Sequence, residues 1–233
     1  MRIAIGDIHG CYKTFRRLIE DEIQPGKGDT VYLVGDYIDR GPDSKKVLEY
    51  IIQLINNGYD IQGVRGNHEE ILIDAYTDQT SEKFLLWMMN GAEDTLLSYG
   101  IESFDKMGSA SLNELPEEHI SFIKKLPYYI ELDDFIIVHA GINYQAEEPY
   151  KDYKSMVWCR DCQNDLQQSG GRTIIHGHTP IPLSEIENSA LKPDKTQVNM
   201  DAGCVYSEFP GMGNLAALNL DTFKLVSLPN MDF

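Results

Sequence analysis

The chain has 233 residues, 42% apolar and 24% charged, which excludes disorder and fibrous repeats and fits a single domain of 1–233. A formal charge of -17 at pH 7 excludes nonspecific binding of nucleic acid or anionic membrane over most of the surface, because such binding relies on clustered Lys and Arg. Any phosphate site must therefore be locally positive.

Residues 2–6 (RIAIG) predict a strand, and Cys11, Phe15, Leu18, Ile19 and Ile23 follow at near-helical spacing. The pattern repeats: residues 30–35 (TVYLVG) form a β-rich run, then Val47, Leu48, Ile51, Ile52 and Ile55 mark one helical face entered at Pro42 and Asp43. Residues 61–64 make a third strand. Such a βαβαβ unit implies a parallel sheet with right-handed crossovers, whose ligands lie beyond the carboxyl ends of the strands. Each of these strands runs directly into a motif, at 7–10, 36–41 and 67–69.

Residues 70–127 read as a mostly helical insert, in which FLLWMM at 84–89 is core or lid packing. His119, alone among six histidines in lying outside a motif, reads as a surface residue. Strand-like runs return at 128–132, 135–138, 173–176, 196–199, 215–220 and 223–228, the last two as a hairpin turning at Asp221 and Thr222. Residues 144–155 read as a polar surface loop. Cysteines at 11, 159, 162 and 204 are too few and scattered for a disulfide scaffold, so Cys159 and Cys162 read as ordinary loop cysteines. With no apolar run of about 18 residues and no secretion signal in MRIAIGDIHG, the expected location is cytoplasmic.

The motifs are rich in metal-ligating types. GDIHG offers Asp7 and His9, GDYIDRGP offers Asp36, Asp39 and Arg40, and GNHE offers Asn67 and His68. HAG and HGHT add His139, His176 and His178, each closing an apolar or β-branched run. A carboxylate can bridge two cations about 3.5 to 4 Å apart, which makes Asp36 the natural bridge. His176 reads as a supporting residue rather than a ligand.

These five motifs resemble the signature of the metallophosphoesterases, and specifically the phosphoprotein phosphatase family in its compact bacterial and bacteriophage form. The resemblance implies an α/β calcineurin-like fold, two mixed β-sheets in a central sandwich flanked by helices. It implies that Asp7, His9 and Asp36 hold one metal, while Asp36, Asn67, His139 and His178 hold the other. Two divalent ions follow, Mn²⁺ first and Fe or Zn²⁺ as alternatives. It further implies in-line attack on phosphorus by a water bridging the metals, with His68 as general acid, Asp39 as its orienter, and Arg40, Arg65 and Arg160 on the phosphoryl oxygens.

The function so implied is hydrolysis of phosphoserine or phosphothreonine in proteins, with phosphotyrosine as an extension, so the partner is a phosphoprotein or other phosphomonoester. A symmetrical dinucleoside tetraphosphatase, or related nucleotide hydrolase, is the alternative. Relatives of that kind tend to carry GNHD and to lack the Asp that orients the acid, whereas Glu69 and Asp39 are present here.

Overall fold

The computed structural model describes residues 1–102 and 112–233. Strands β1 (Arg2–Ile5), β2 (Thr30–Leu33) and β3 (Asp60–Gly63) pair in parallel, with Ile5 opposite Leu33 and Leu33 opposite Gly63. Helices α1 (Tyr12–Arg17), α2 (Ser44–Asn56), α3 (Asn67–Asp78), α4 (Ser81–Met88), α5 (Ala92–Ser98) and α6 (Glu117–Lys125) intervene or follow. A second sheet is built from β4 (Tyr129–Glu131), β5 (Phe135–Val138), β6 (Thr173–His176) and β7 (Gln197–Asn199), in that order, with α7 (Tyr153–Trp158) and α8 (Leu183–Leu191) between its strands. The hairpin β8 (Asn214–Asn219) and β9 (Leu225–Pro229) returns to the first sheet, giving the order β3-β2-β1-β8-β9. Asn219 closes that hairpin by accepting the N–H groups of Asp221 and Thr222, the residues expected in the turn.

The two sheets stack because their central strands, such as β5, are apolar on both faces, which is why those runs read as continuous rather than alternating. Ala4, Val34, Phe135, Ile137, Ile175, Val198 and Leu218 fill the space between the sheets. Ile3 and Ile5 point the other way, onto Phe15, Leu48 and Ile51 of the helical layer. Ile136 and Val138 likewise cover Tyr144 and Met156 on the outer face of the second sheet. Each such side chain contributes about 1.5–3 kcal/mol on burial, so the strand ends are anchored from both sides.

Four readings of the sequence change. The helix after β1 widens into a π-helical turn over Leu18–Ile23, where the Gln24 N–H reaches the Ile19 carbonyl and the turn packs against β9. His119 is buried, not on the surface: α6 turns His119, Ile120 and Ile123 inward together, and the Tyr99 hydroxyl lies 2.6 Å from His119 Nδ1. The expected loop 144–155 is partly ordered, with Tyr144 buried, a 3-10 turn at Pro149–Lys151 and α7 starting at Tyr153. In FLLWMM only one face is covered, Phe84 and Trp87 being buried while Leu85, Leu86 and Met89 are exposed. Among the described residues, no helix is long and apolar enough to cross a membrane.

Candidate metal centre

The loops after β1, β2, β3, β5 and β6 meet at one edge of the sandwich. Backbone bonds tie them: the N–H groups of Ile8 and His9 both donate to the Asp36 carbonyl, and the Gly177 N–H donates to the His139 carbonyl. Two glycines are required by close approach, since a Cβ on Gly66 would collide with Asp36 Oδ1 and one on Gly177 with Asp7 Oδ1. Of the eight non-glycine residues with positive φ among the described residues, five lie here: His9, Asp36, Asp39, Arg40 and His178. Such backbone is sparsely populated and concentrates where surrounding structure over-determines it.

Much of that determination comes from Glu69, which sequence reasoning noted only as a family letter. Buried at the start of α3, it accepts the N–H groups of Asp36 and Gly66 at Oε2 (both 2.9 Å) and of Tyr37 and Ile38 at Oε1 (2.8 and 3.3 Å). Burial, then the charge on Asp36, push its carboxyl up to about 8, while these backbone donors pull it down.

Asp36 sits at the middle of the cluster, with His139 Nε2 3.4 Å from Oδ1 and His9 Nε2 3.5 Å from Oδ2. Asn67 Oδ1 lies 2.9 Å from His139 Nε2 and 3.0 Å from His178 Nδ1. His9 Nδ1 faces the Ile38 carbonyl at 3.0 Å and His139 Nδ1 the Val34 carbonyl at 2.9 Å. Each ring therefore donates its Nδ1–H to the backbone and turns an Nε2 lone pair inward, the arrangement that metal-ligating histidines use. Lone pairs thus face oxygen acceptors. Asp7 Oδ1 and His178 Nε2 are buried with no hydrogen-bond partner, although Asp7 Oδ2 accepts the His178 N–H at 3.0 Å.

A cation removes that conflict. Donor atoms of Asp36, His139 and His178 lie within 4.8 Å of one another, as do those of Asp36, His9 and His68, so the cluster fits divalent ions sharing Asp36; Asp7, expected beside His9, falls outside both groups. Oxygen and nitrogen donors without thiolate suit Mn²⁺, Fe or Zn²⁺. Burial would raise the Asp36 carboxyl, but His139, His68 and His9 together with Arg40 hold it below the usual carboxylate range. Burial lowers the pKa of His9 and His139 and takes that of His178 down to about 3, which favours the neutral form that binds metal.

His68 is treated differently. Its Nδ1 lies 2.8 Å from Asp39 Oδ2, and its Nε2 is buried with no partner, 3.9 Å from Asp36 Oδ2. Burial lowers an imidazole, but here the charge of Asp36 and the hydrogen bond to Asp39 outweigh it and raise the pKa. Asp39 is itself held: Trp87 Nε1 donates to both its oxygens (3.1 and 3.0 Å), the Thr95 hydroxyl donates to Oδ1 (2.6 Å), and Ser44 and Thr95 accept its backbone N–H. Sequence reasoning missed Thr95 and Ser44, and read Trp87 only as packing.

The arginines divide. Arg40 reaches the cluster, donating to His9 Nε2 at 2.9 Å and lying 5.7 Å from the Tyr206 ring centre. Arg160 is exposed, close enough for its charge to disfavour protonation of His178. Arg65, expected as a phosphate clamp, is instead committed elsewhere: its guanidinium pairs with Glu70 (2.8 Å), the Lys124 carbonyl (2.8 Å) and the Tyr128 hydroxyl (3.2 Å). Glu70, one place along α3 from Glu69, draws it aside.

Cys159 and Cys162 are bonded to each other, not free, with Cα atoms 5.7 Å apart. The missing side chain of Gly141 leaves room for Cys162. The bonded pair replaces the expected ordinary loop cysteines. It brackets Arg160 on a groove of about 690 Å³ that also meets Ala140, His176, Thr179, Lys192 and Lys195. Burial takes His176 down to about 4, so it lines this groove as a neutral ring.

The family model of the calcineurin-like phosphoesterases matches residues 2–206. The chain belongs to that family. This calcineurin-like phosphoesterase is 26% identical to a bis(5'-nucleosyl)-tetraphosphatase PrpE [asymmetrical] of Bacillus cereus, over 97% of this chain and 93% of that one. A protein of the same name from Anoxybacillus flavithermus is also 26% identical, with the same coverage. Among solved structures, a candidate diadenosine tetraphosphatase superposes with a TM-score of 0.68 at 20% identity, over 100% of this chain and 94% of that one. A serine/threonine phosphatase of Saccharomyces cerevisiae gives 0.61 at 15% identity, over 97% and 78%. These likenesses confirm the fold implied by the motifs, two mixed sheets flanked by helices.

Proposed function

We propose that this calcineurin-like phosphoesterase is a metal-dependent phosphomonoesterase that hydrolyses phosphoserine or phosphothreonine in proteins, with phosphotyrosine as an extension. The buried His68–Asp39 pair carries this reading. An alkoxide is a poor leaving group and needs a proton as the P–O bond breaks. His68 has that proton available: its pKa is raised, Asp39 fixes its ring through Nδ1, and Nε2 is uncommitted.

Asp7, His9, Asp36, Asn67, His139 and His178 would hold two divalent ions, Mn²⁺ being the first choice. When bound, the ions lower the pKa of a water and neutralise charge on the phosphoryl oxygens. Arg40 and Arg160 bind those oxygens, and Arg40 is already at the cluster through His9. Against the chain's overall charge of -17, this makes a local positive pocket.

Hydrolysis of a dinucleoside tetraphosphate is the second reading. The names of relatives matching 97% of the chain favour it, as does a groove beside the centre that carries Arg160, Lys192 and Lys195 and is large enough for a nucleotide. Those names specify asymmetrical cleavage, where the sequence suggested symmetrical.

Turnover with Mn²⁺ on phosphoserine, phosphothreonine and phosphotyrosine peptides and on diadenosine tetraphosphate separates the two. The peptides are the expected substrates, and His68→Asn should lower kcat on phosphoserine peptide by about 10²–10⁴ and on nitrophenyl phosphate by less. A strong preference for the dinucleotide, insensitive to His68→Asn, would transfer the proposal to the second reading. AMP with ATP, as against two ADP, would then distinguish asymmetrical from symmetrical cleavage.

A further inference from the structure

Asp201 is buried at 2% exposure and takes no part in the centre as described so far. It lies two residues beyond β7, as His178 lies two beyond β6, and the Ile181 N–H donates to its carbonyl at 3.0 Å. The backbone of Gly6 packs so closely on the Met200 carbonyl that any Cβ would collide with it. Asp7 and Asp201, each next in sequence after that contact, are therefore brought side by side.

Each of these carboxylates is half committed. Asp7 Oδ2 accepts the His178 N–H, and its Oδ1 is buried without a partner. Asp201 Oδ1 accepts the Gly203 N–H at 2.9 Å, and among the described residues no protein group donates to its Oδ2. Two buried like charges, each with one free oxygen, repel unless a cation compensates them. Arg40 is close enough for its charge to act on both, but its guanidinium donates to His9 and, among the described residues, to neither carboxylate.

We infer that Asp201 is a further oxygen donor to the cation held by Asp7 and His9. It would act through the oxygen its own turn leaves free. Three carboxylates then face two dications, which lowers the net charge of the centre from about +2 to about +1 and favours release of a phosphate dianion once formed. The inference rests on the metal reading of the site given above.

The test is Mn²⁺ binding to the chelated, full-length protein, followed by calorimetry and by the Mn²⁺ paramagnetic resonance signal, in wild type, Asp201→Asn and Asp201→Glu. Asparagine is isosteric and still accepts the Gly203 N–H, so the turn is retained. Wild type should bind two ions. D201N should bind one of them at least about tenfold more weakly, as loss of a supporting metal contact does, with the other unchanged, and D201E should recover part of the loss. In chelator, D201N should melt at or above the wild-type temperature, because repulsion with Asp7 is gone. Two ions bound by D201N at wild-type affinity overturn the inference, and so does a lower melting temperature in chelator, which would mark a purely structural carboxylate. Wild type binding no Mn²⁺ would instead defeat the metal reading itself.

Discussion

Asp36 and Asp39 stand three residues apart in one loop, both buried and both in left-handed backbone, yet their surroundings are opposite. Asp39 meets donors only: an indole N–H, a hydroxyl and an imidazole N–H. Asp36 shares its pocket with inward-turned imidazole lone pairs, beside an Asn oxygen that the same rings also face. One carboxylate is completed by the protein. The other accepts the His68 backbone N–H at 3.2 Å and otherwise faces inward-turned lone pairs, a contrast that separates the residues proposed to hold metal from those proposed to handle the proton.

The largest test of that contrast is Asp36→Asn. Removing the shared charge should abolish Mn²⁺-dependent thermal stabilisation and lower turnover by about 10³ or more, the worth of several kcal/mol of charge stabilisation. Unchanged Mn²⁺ stoichiometry would show that Asp36 is not the bridge.

Trp87→Phe addresses the other carboxylate. It deletes the indole donor to Asp39 and should cost about 1.5–3 kcal/mol of stability, the range for a hydrogen bond to a charged group. It should also lower kcat on phosphoserine peptide about tenfold while bound Mn²⁺ stays at wild-type level. A fall in metal content would mean that the two carboxylates are not independent.

The smallest effect concerns His119, a buried imidazole paired with the Tyr99 hydroxyl at 2.6 Å. Burial lowers its pKa, so the unfolded chain takes up a proton near the ordinary pH 6.5 while the folded chain does not. Its contribution to stability is therefore full above that pH and is lost as pH falls below it. Melting temperatures measured from pH 7.5 to 5.5 should fall more steeply for wild type than for His119→Gln. Parallel curves would remove this assignment.

The strands and the edge where they converge were legible because each apolar run stops at a motif, and chain direction then dictates which ends meet. The proposed ligand set came through family resemblance; the structure groups Asp36 with His9, and Asp36 with His139 and His178, with Asn67 beside the last two. What supports them was not legible. Trp87 sits in an apolar stretch whose spacing gives no hint of an acceptor 48 residues earlier. Arg65 looks free in sequence, since nothing marks Glu70 as its partner rather than a phosphate. His119 is flanked by Glu118 and Glu117, and only the packing of α6 reveals that it faces inward. Cys159 and Cys162 depend on a local turn that spacing alone does not specify.

The left-handed backbone at His9, Asp36, Asp39 and His178 bears on how these positions can be probed. Asp, Asn and His tolerate that conformation better than other side chains with a Cβ, and they are also the side chains that bind hard and borderline metals. Coordination chemistry and chain conformation have thus selected from the same short alphabet, with Arg40 as the outlier that carries the strain for its charge. Alanine scanning here would remove a functional group and distort a loop in the same stroke, and would overstate what each side chain does. Glycine is the fair comparator, since it keeps the left-handed loop in place while the side chain is withdrawn.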